Sequence, residues 1–294
     1  MSGSAKPKST KPKKTAKKKV AAIHKTDWRK TIDVRDFVFT NLKPFDGEPT
    51  FLQGPTEKTN ALWKACQALL KQERESVNGV LDIDTETVSS INSHAAGYVD
   101  PELETIFGFQ TDQPLKRAIK PMGGIRVVEA ACAENGRTLP AAIMDTFLHF
   151  RKTHNDGVFA AYTEEMRRLR KTGVLTGLPD AYARGRIIGD YRRVALYGID
   201  RLIEAKEVDR ATLTGTMTDE LIRLREELGE QIEALRLMKD MAARYGFDIS
   251  LPAKDAREAV QWTYFAYLAA LKEHDGAAMS LGNVSGFFDI YIER

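Results

Sequence analysis

Residues 219–245 of this chain have the hydrophobic period of one long amphipathic helix, a rod about 40 Å long that the fold must accommodate. Thr218 stands where an N-cap is expected, and Asp219 and Glu220 suit the positive end of the helix dipole. Gly246 can end the helix in the left-handed conformation. We expect the apolar stripe to pack into a core and not to bind a cofactor. Its members are Leu221, Leu224, Leu228, Ile232, Leu235, Met238 and Ala242.

Shorter elements are predicted on both sides of this helix. Apolar spacing predicts helices over residues 28–41, 59–75, 140–153 and 258–273. Pro140 suits a first helical turn. Residues 44–59 are typical of a loop, and the alternation over residues 81–85 is too short to assign. The apolar face of the 59–75 helix is formed by Leu62, Ala65, Leu69 and Leu70.

The first 25 residues differ in composition from the rest of the chain. They carry nine lysines, no acidic residue and almost no large apolar residue before Val20. Such a segment buries too little apolar surface to fold, so we expect a disordered tail over residues 1–25 and a folded region over residues 26–294. The tail would solubilise the protein or bind anions weakly, and a tether to nucleic acid or a partner is the alternative.

The charge balance and hydropathy exclude some classes of protein. Without the nine lysines of the tail, the formal charge of +3 becomes −6, which argues against nucleic-acid binding by the folded region. No run of 18 apolar residues occurs, so a membrane-spanning helix is not expected. No apolar segment follows the tail's charges as it does in a secretory signal. Two cysteines far apart in sequence favour a reducing, cytoplasmic setting.

Residue types alone identify no catalytic group. Cys66 and Cys132 lie in helix-like stretches and are expected to be small, buried apolar side chains. The five histidines do not have the spacing of zinc ligands. The sequence contains neither a Walker A motif nor the GxGxxG motif of dinucleotide-binding proteins. We therefore predict no metal site and no permanently bound cofactor.

The most distinctive segment is residues 173–193, where four glycines and four arginines occur within 21 residues. Glycine lets the backbone approach a ligand closely, and arginine can grip a carboxylate or phosphate with two hydrogen bonds. The segment is thus typical of an anion-binding loop. The alternative is a surface loop whose arginines are solvated or paired with Asp180 and Asp190, and composition does not decide between the two.

This segment and several others closely resemble the pyruvate formate-lyase family of glycyl-radical enzymes, which cleave pyruvate with coenzyme A to give acetyl-CoA and formate. The resemblance extends over most of the chain. It is carried by residues 33–37, 93–98, 110–117, 151–159, 173–200, 261–265 and 283–294.

The resemblance implies an α/β fold, a ten-stranded barrel of two antiparallel half-barrels. In the family a radical glycine near the C-terminus meets two adjacent cysteines at the barrel centre. This sequence contains no Cys-Cys pair and no Arg-Val-Ser-Gly-Tyr segment. We therefore expect the N-terminal portion of such a barrel, mostly helical with few strands and inactive alone. Strand edges and apolar ends would be exposed, among them Ile290, Tyr291 and Ile292.

The resemblance also implies binding residues. The second arginine of its Arg-Gly-Arg motif, which helps to hold the pyruvate carboxylate, matches Arg186. Ala277 matches a position near the substrate methyl group. The His and Phe that flank the adenine of coenzyme A match His94 and Phe159. No catalytic residue of the family matches a position of this chain.

Three hypotheses about function follow from the resemblance. The chain is the N-terminal portion of a formate C-acetyltransferase of anaerobic glucose fermentation, or it is a non-catalytic remnant or partner subunit of such an enzyme. The third hypothesis is a related 2-keto acid lyase, with 2-ketobutyrate as an alternative to pyruvate. The expected partners are a second copy of the full-length enzyme and a radical-activating enzyme.

Overall fold

The computed structural model describes residues 27–44, 47, 54–76, 82–120, 125–149, 161–175, 187–274 and 279–292, which contain ten helices and four strands. The helices are α1 Val34–Asn41, α2 Glu57–Glu75, α3 Ile125–Glu134, α4 Ala141–His149, α5 Glu164–Lys171, α6 Arg192–Tyr197, α7 Ile199–Thr212, α8 Asp219–Arg244, α9 Ala256–Glu273 and α10 Ser285–Ile292. The strands are β1 Asp82–Val88, β2 Lys116–Ile119, β3 Ile187–Ile188 and β4 Met279–Ser280.

The ends of α8 follow from local sequence signals, as predicted. The Thr218 hydroxyl accepts the N–H of Leu221. Gly246, just beyond the end of the helix, has a φ of +82°, the left-handed conformation that glycine adopts without a steric cost. The prediction of a buried stripe is wrong for the first half of α8, where Leu224 is 42% exposed. Burial begins at Ile232, because only the later turns reach the core.

The main core is built around α9, which begins where Asp255 caps the N–H of Glu258. This helix buries residues on several sides, including Trp262, Phe265 and Leu268. Helices α1, α6, α7, α8 and α10 also contribute large buried side chains to the same cluster. The helix predicted at residues 258–273 is therefore confirmed, and it is the central element of the core.

A close backbone contact joins α6 and α7 to the loop before α9. Gly198, between the two helices, has a φ of +73°. A Cβ atom built there would lie 2.4 Å from the carbonyl oxygen of Ser250. The adjacent Ile199 N–H donates to the carbonyl oxygen of Ile249 at 2.9 Å, and the Ala253 N–H donates to that of Ala195 at 2.8 Å. Only glycine fits this position without displacing backbone.

A smaller apolar cluster lies around β1, β2 and α3. The two strands are parallel, with Ile83 opposite Arg117 and an irregularity before Val88 pairs with Ile119. Ile83 and Ile119 are buried there. Cys132 is also buried, as predicted, and burial raises the pKa of its thiol. This cysteine is a packing residue.

Helix α2 keeps part of its apolar face exposed. The helix forms as predicted, and Thr56 caps its first turn through the N–H of Thr59. None of its side chains is buried, and Leu70 is 42% exposed. The prediction that Cys66 is buried is therefore wrong, since its side chain is only partly covered.

The last described helix corrects a second expectation. Ile290 and Tyr291, expected among the exposed pieces, are buried, whereas Ile292 is 62% exposed as expected. The reason is aromatic packing between the two ends of the described chain. The ring centroid of Phe287 in α10 lies 5.8 Å from that of Phe37 in α1 and 5.2 Å from that of Tyr291.

The described residues are thus mostly helical with few strands, as predicted. Their two sheets have two strands each, so the ten-stranded barrel implied by the resemblance stays a prediction. None of the described helices combines the length and the apolar character needed to cross a bilayer.

Candidate functional site

A short parallel sheet joins the two chain segments for which substrate binding was predicted. In β3 and β4, Ile187 pairs with Met279 and Ile188 with Ser280. Arg186 directly precedes β3 in sequence, and Ala277 lies two residues before β4. Both residues, like Phe159, lie outside the described part of the chain. The structure therefore brings together strand β3, which follows Arg186, and strand β4, which begins two residues after Ala277.

The end of the glycine- and arginine-rich segment packs against α9. The Arg192 Nε atom lies 2.7 Å from Asp190 Oδ1, so the ion-pair alternative holds for this arginine. Tyr191 is buried, with its ring centroid 5.4 Å from that of Tyr267. A Cβ atom at Gly189 would lie 2.8 Å from the Tyr191 ring. These contacts fix the backbone that follows β3.

His94 is the predicted site residue that the structure describes. Its side chain is 3% exposed, and both ring nitrogens have partners. Nε2 lies 3.2 Å from Asp84 Oδ2, and Nδ1 lies 2.7 Å from the Ser93 hydroxyl. A neutral ring with its proton on Nε2 satisfies both contacts, donating to the carboxylate and accepting from the hydroxyl. The Ser93 hydroxyl has a single proton and also lies 3.0 Å from the carbonyl oxygen of Ser90. The bond to Asp84 therefore favours this tautomer, and the two contacts together fix the plane of the ring.

Burial of the His94 ring favours its neutral form. Burial lowers its pKa, Asp84 opposes this, and the positive charge of Lys272 lowers the pKa further. Burial alone would raise the pKa of Asp84, but the N–H groups of Glu86 and Thr87 donate to that carboxylate and hold its pKa below the usual value. The pair is therefore a neutral imidazole beside a carboxylate at neutral pH.

The segment that carries His94, residues 89–94 (here the His94 segment), is anchored to α8 and α9. The Ser89 hydroxyl donates to the carbonyl oxygen of Lys272 at 2.7 Å, and the Ile91 N–H donates to Glu273 Oε1 at 3.0 Å. The Asn92 amide donates to the carbonyl oxygen of Leu237 at 3.1 Å. Sequence reasoning missed these anchors, because each joins residues at least 145 positions apart.

Lys272 is the most unusual charged residue of this region. It is 1% exposed, and its Nζ donates to the carbonyl oxygen of Ile91 at 3.1 Å. Burial, with smaller effects from the charges of Arg244 and Lys120, lowers its pKa to about 8 from an ordinary value of 10.5. Its position directly after the largely apolar stretch of residues 259–271 was the one sequence signal for it.

This pKa predicts how stability depends on pH. Between pH 8 and pH 10.5 the unfolded chain keeps a proton on Lys272 that the folded chain has lost, so the free energy of unfolding rises with pH. The full rise is about 3 kcal/mol. We expect Lys272→Met to lack this rise when urea unfolding is measured from pH 7 to pH 10. The exposed control Lys71→Met should keep it, and equal slopes in all three proteins would contradict the assignment.

A second feature lies a few residues beyond Phe159. Tyr162, Arg167, Arg170 and Lys171 line a cavity of about 410 Å³ at the start and along one side of α5. Thr163 caps this helix, and its hydroxyl accepts the N–H of Met166. Tyr162 is buried, whereas the three cationic residues are exposed. The cavity therefore combines an aromatic wall with positive charge, which suits an anionic ligand.

Comparison with known proteins identifies the family. The Pyruvate formate lyase-like family model matches residues 25–294. A formate acetyltransferase of Haemophilus influenzae is 53% identical over 273 residues, which are 91% of this chain and 35% of that protein. The chain belongs to the pyruvate formate lyase-like family, so the resemblance found in its sequence is confirmed. It spans about a third of the length of that relative.

A solved structure agrees on the fold. The chain is similar to the glycerol-bound form of the B12-independent glycerol dehydratase from Clostridium butyricum, with a TM-score of 0.54 over 82% of this chain and 38% of that one. At 15% identity the similarity concerns the fold alone.

Proposed function

We propose that this chain supplies the N-terminal part of a formate C-acetyltransferase, which converts pyruvate and coenzyme A to acetyl-CoA and formate. The observation that carries the proposal is the pairing of β3 with β4, because it joins the segments that follow the two substrate positions. The 53% identity to a formate acetyltransferase supports it. We place the enzyme in the cytoplasm, in anaerobic glucose fermentation.

In this proposal Arg186 holds the substrate carboxylate. A planar guanidinium can donate two parallel hydrogen bonds to a small 2-keto acid, and an ammonium cannot reproduce that geometry. Ala277 leaves space for the methyl group of pyruvate. The same small residue would also admit the longer chain of 2-ketobutyrate, which is the alternative substrate.

Coenzyme A binds in this proposal with its adenine between His94 and Phe159. The basic cavity of α5 begins three residues beyond Phe159, and its three cationic side chains suit the phosphates of the same molecule. The His94 side chain is 3% exposed. Adenine can therefore stack on it only after the groups that cover one ring face move aside.

The reaction itself needs groups that this sequence does not contain. It has no Cys-Cys pair to carry the radical and the acetyl group. The chain thus contributes binding and orientation, and turnover requires the remaining family sequence together with a radical-activating enzyme. A homodimer is the expected assembly of the complete enzyme.

The test uses the chain alone and the chain completed with the remaining sequence of the Haemophilus relative. With an activating enzyme, pyruvate and coenzyme A, we expect formate from the completed protein and none from the chain alone. Formate from the chain alone would contradict the proposal that turnover requires the remaining family sequence. Coenzyme A binding without activity in the completed protein would favour a non-catalytic partner subunit.

Arg186→Lys in the completed protein tests the substrate site. Losing one charge-assisted hydrogen bond costs about 1.5–3 kcal/mol, so we expect pyruvate use to fall about 10- to 150-fold. The control is Arg193→Lys, an exposed arginine in the same segment. Equal kcat/KM for pyruvate in the two variants would remove Arg186 from the site.

A further inference from the structure

Two cationic side chains at helix ends bind the carbonyl groups of the His94 segment. Arg244, the last residue of α8, donates through Nη1 to the carbonyl oxygens of Asn92 at 2.9 Å and His94 at 3.2 Å. Lys272, in the last turn of α9, donates to that of Ile91. Three carbonyl groups of residues 91–94 are therefore held from two separate helices.

The location of these cations has a physical reason. The C-terminal end of a helix carries partial negative charge, which stabilises a nearby positive side chain. Arg244 and Lys272 both occupy such ends. Within the described residues Lys272 forms no ion pair with a carboxylate. Burying an ammonium group is costly unless it is hydrogen-bonded, so the bond to the carbonyl group of Ile91 partly offsets that cost.

We propose that Arg244 and Lys272 are positioning residues for His94, and that together they set the place and orientation at which its imidazole meets a ligand. The inference rests on the proposed function in so far as that ligand is the adenine of coenzyme A. Neither residue touches the ligand. They act through the backbone of residues 91–94, while Asp84 and Ser93 hold the ring nitrogens.

The electrostatic surroundings give a readout that a purely structural role would not move. The charged groups that act on His94 are Asp84 of β1, Asp112 of the loop before β2 and Lys272 of α9. Those that act on Lys272 are Arg244 and Lys120. Removing the charge of Lys272 should raise the pKa of His94, because that charge lowers it.

The first measurement is the NMR titration of the His94 ring in the purified 294-residue chain. We expect its pKa to rise in both Lys272→Met and Lys272→Gln. The glutamine variant keeps a hydrogen-bond donor without the charge, and it serves if the methionine variant fails to fold. The control is Arg236→Met, on the same helix as Arg244. Among the described residues, the Arg236 guanidinium forms ion pairs with the exposed carboxylates of Glu207 and Glu233. An unchanged pKa in both Lys272 variants would overturn the role of Lys272.

The second measurement is calorimetric titration with coenzyme A. We expect binding to weaken about 10-fold in Arg244→Met and in Lys272→Met, by analogy with the loss of groups that orient a metal-binding histidine. Arg244→Lys should recover part of the loss, and Arg236→Met should bind like the unaltered chain. If the unaltered chain binds coenzyme A and all Arg244 and Lys272 variants bind it equally well, the positioning inference is wrong and the proposed function is unaffected.

Failure of the proposed function has a different signature. If the unaltered chain and the completed protein both bind no coenzyme A, the adenine site is wrong. The positioning of His94 is then judged by the NMR titration, together with the ring chemical shifts in Arg244→Met. His94 ring chemical shifts that change in Arg244→Met and not in Arg236→Met support the positioning role of Arg244. Chemical shifts that stay unchanged in both variants overturn it.

Discussion

Replacing Gly198 with alanine is expected to destabilise the fold by about 3 kcal/mol or more, the sum of the backbone strain at a positive φ and overpacking. The new Cβ atom would meet the carbonyl oxygen of Ser250 and backbone atoms of Leu251, which cannot rotate away as a side chain can. The hydrogen bond from Ile199 to Ile249 lies beside the clash and should weaken with it. Urea unfolding of the purified variant measures the loss.

Gly246→Ala is the matched control for this prediction. Its φ of +82° is close to the +73° of Gly198, but a Cβ atom there would meet nothing within 4 Å. Only the backbone strain remains, about 1 kcal/mol. Gly198 also has a ψ of 161°, in a region that almost only glycine adopts. The difference between the two variants therefore measures the contact with residues 250 and 251 together with this additional strain. Equal losses of unfolding free energy in the two variants would mean that the close approach of residue 198 to residues 250 and 251 does not affect stability.

Phe265→Ala should remove about 3–5 kcal/mol, the usual cost of deleting a buried aromatic side chain. Phe265 is fully buried in α9, with ring centroids 5.6 Å from Tyr245 and 5.7 Å from Phe247. Neither neighbour can fill the space without breaking its own ring contacts. The unfolding free energy in urea is again the measurement.

The same substitution at an exposed phenylalanine provides the comparison. Phe39 in α1 is 72% exposed, so Phe39→Ala should change stability by no more than about 0.5 kcal/mol. A loss at Phe39 as large as that at Phe265 would place the core elsewhere than around α9.

Local signals in the sequence predicted where helices begin and end. A capping hydroxyl at Thr218 and a glycine at position 246 act over a few residues, so their effects can be predicted without the fold. Apolar spacing also predicted α2 and α9. It did not predict burial, because spacing identifies an apolar face but not the element that covers it. Leu224 and Cys66 are the clearest examples.

The surroundings of His94 could not be predicted in the same way. The family resemblance selected this residue, but the side chains that hold its segment come from α8 and α9, far along the chain. Nothing local to residues 89–94 specifies those partners. The roles of Arg186, Ala277, Phe159 and His94 in binding stay predictions, of which the Arg186 variant and the measurements on His94 test two.

The contacts of the His94 segment also bear on the order in which the protein folds during synthesis. The bonds from Ser89 to Lys272 and from Lys272 to Ile91 join residues 183 and 181 positions apart. A ribosome adding about 5–20 residues per second needs roughly 10–40 seconds to make the intervening chain. Until α9 leaves the ribosome, residues 89–94 lack their contacts with Lys272 and Glu273. The proposed coenzyme A site would therefore be among the last parts of this chain to form, after helices with local contacts such as α2.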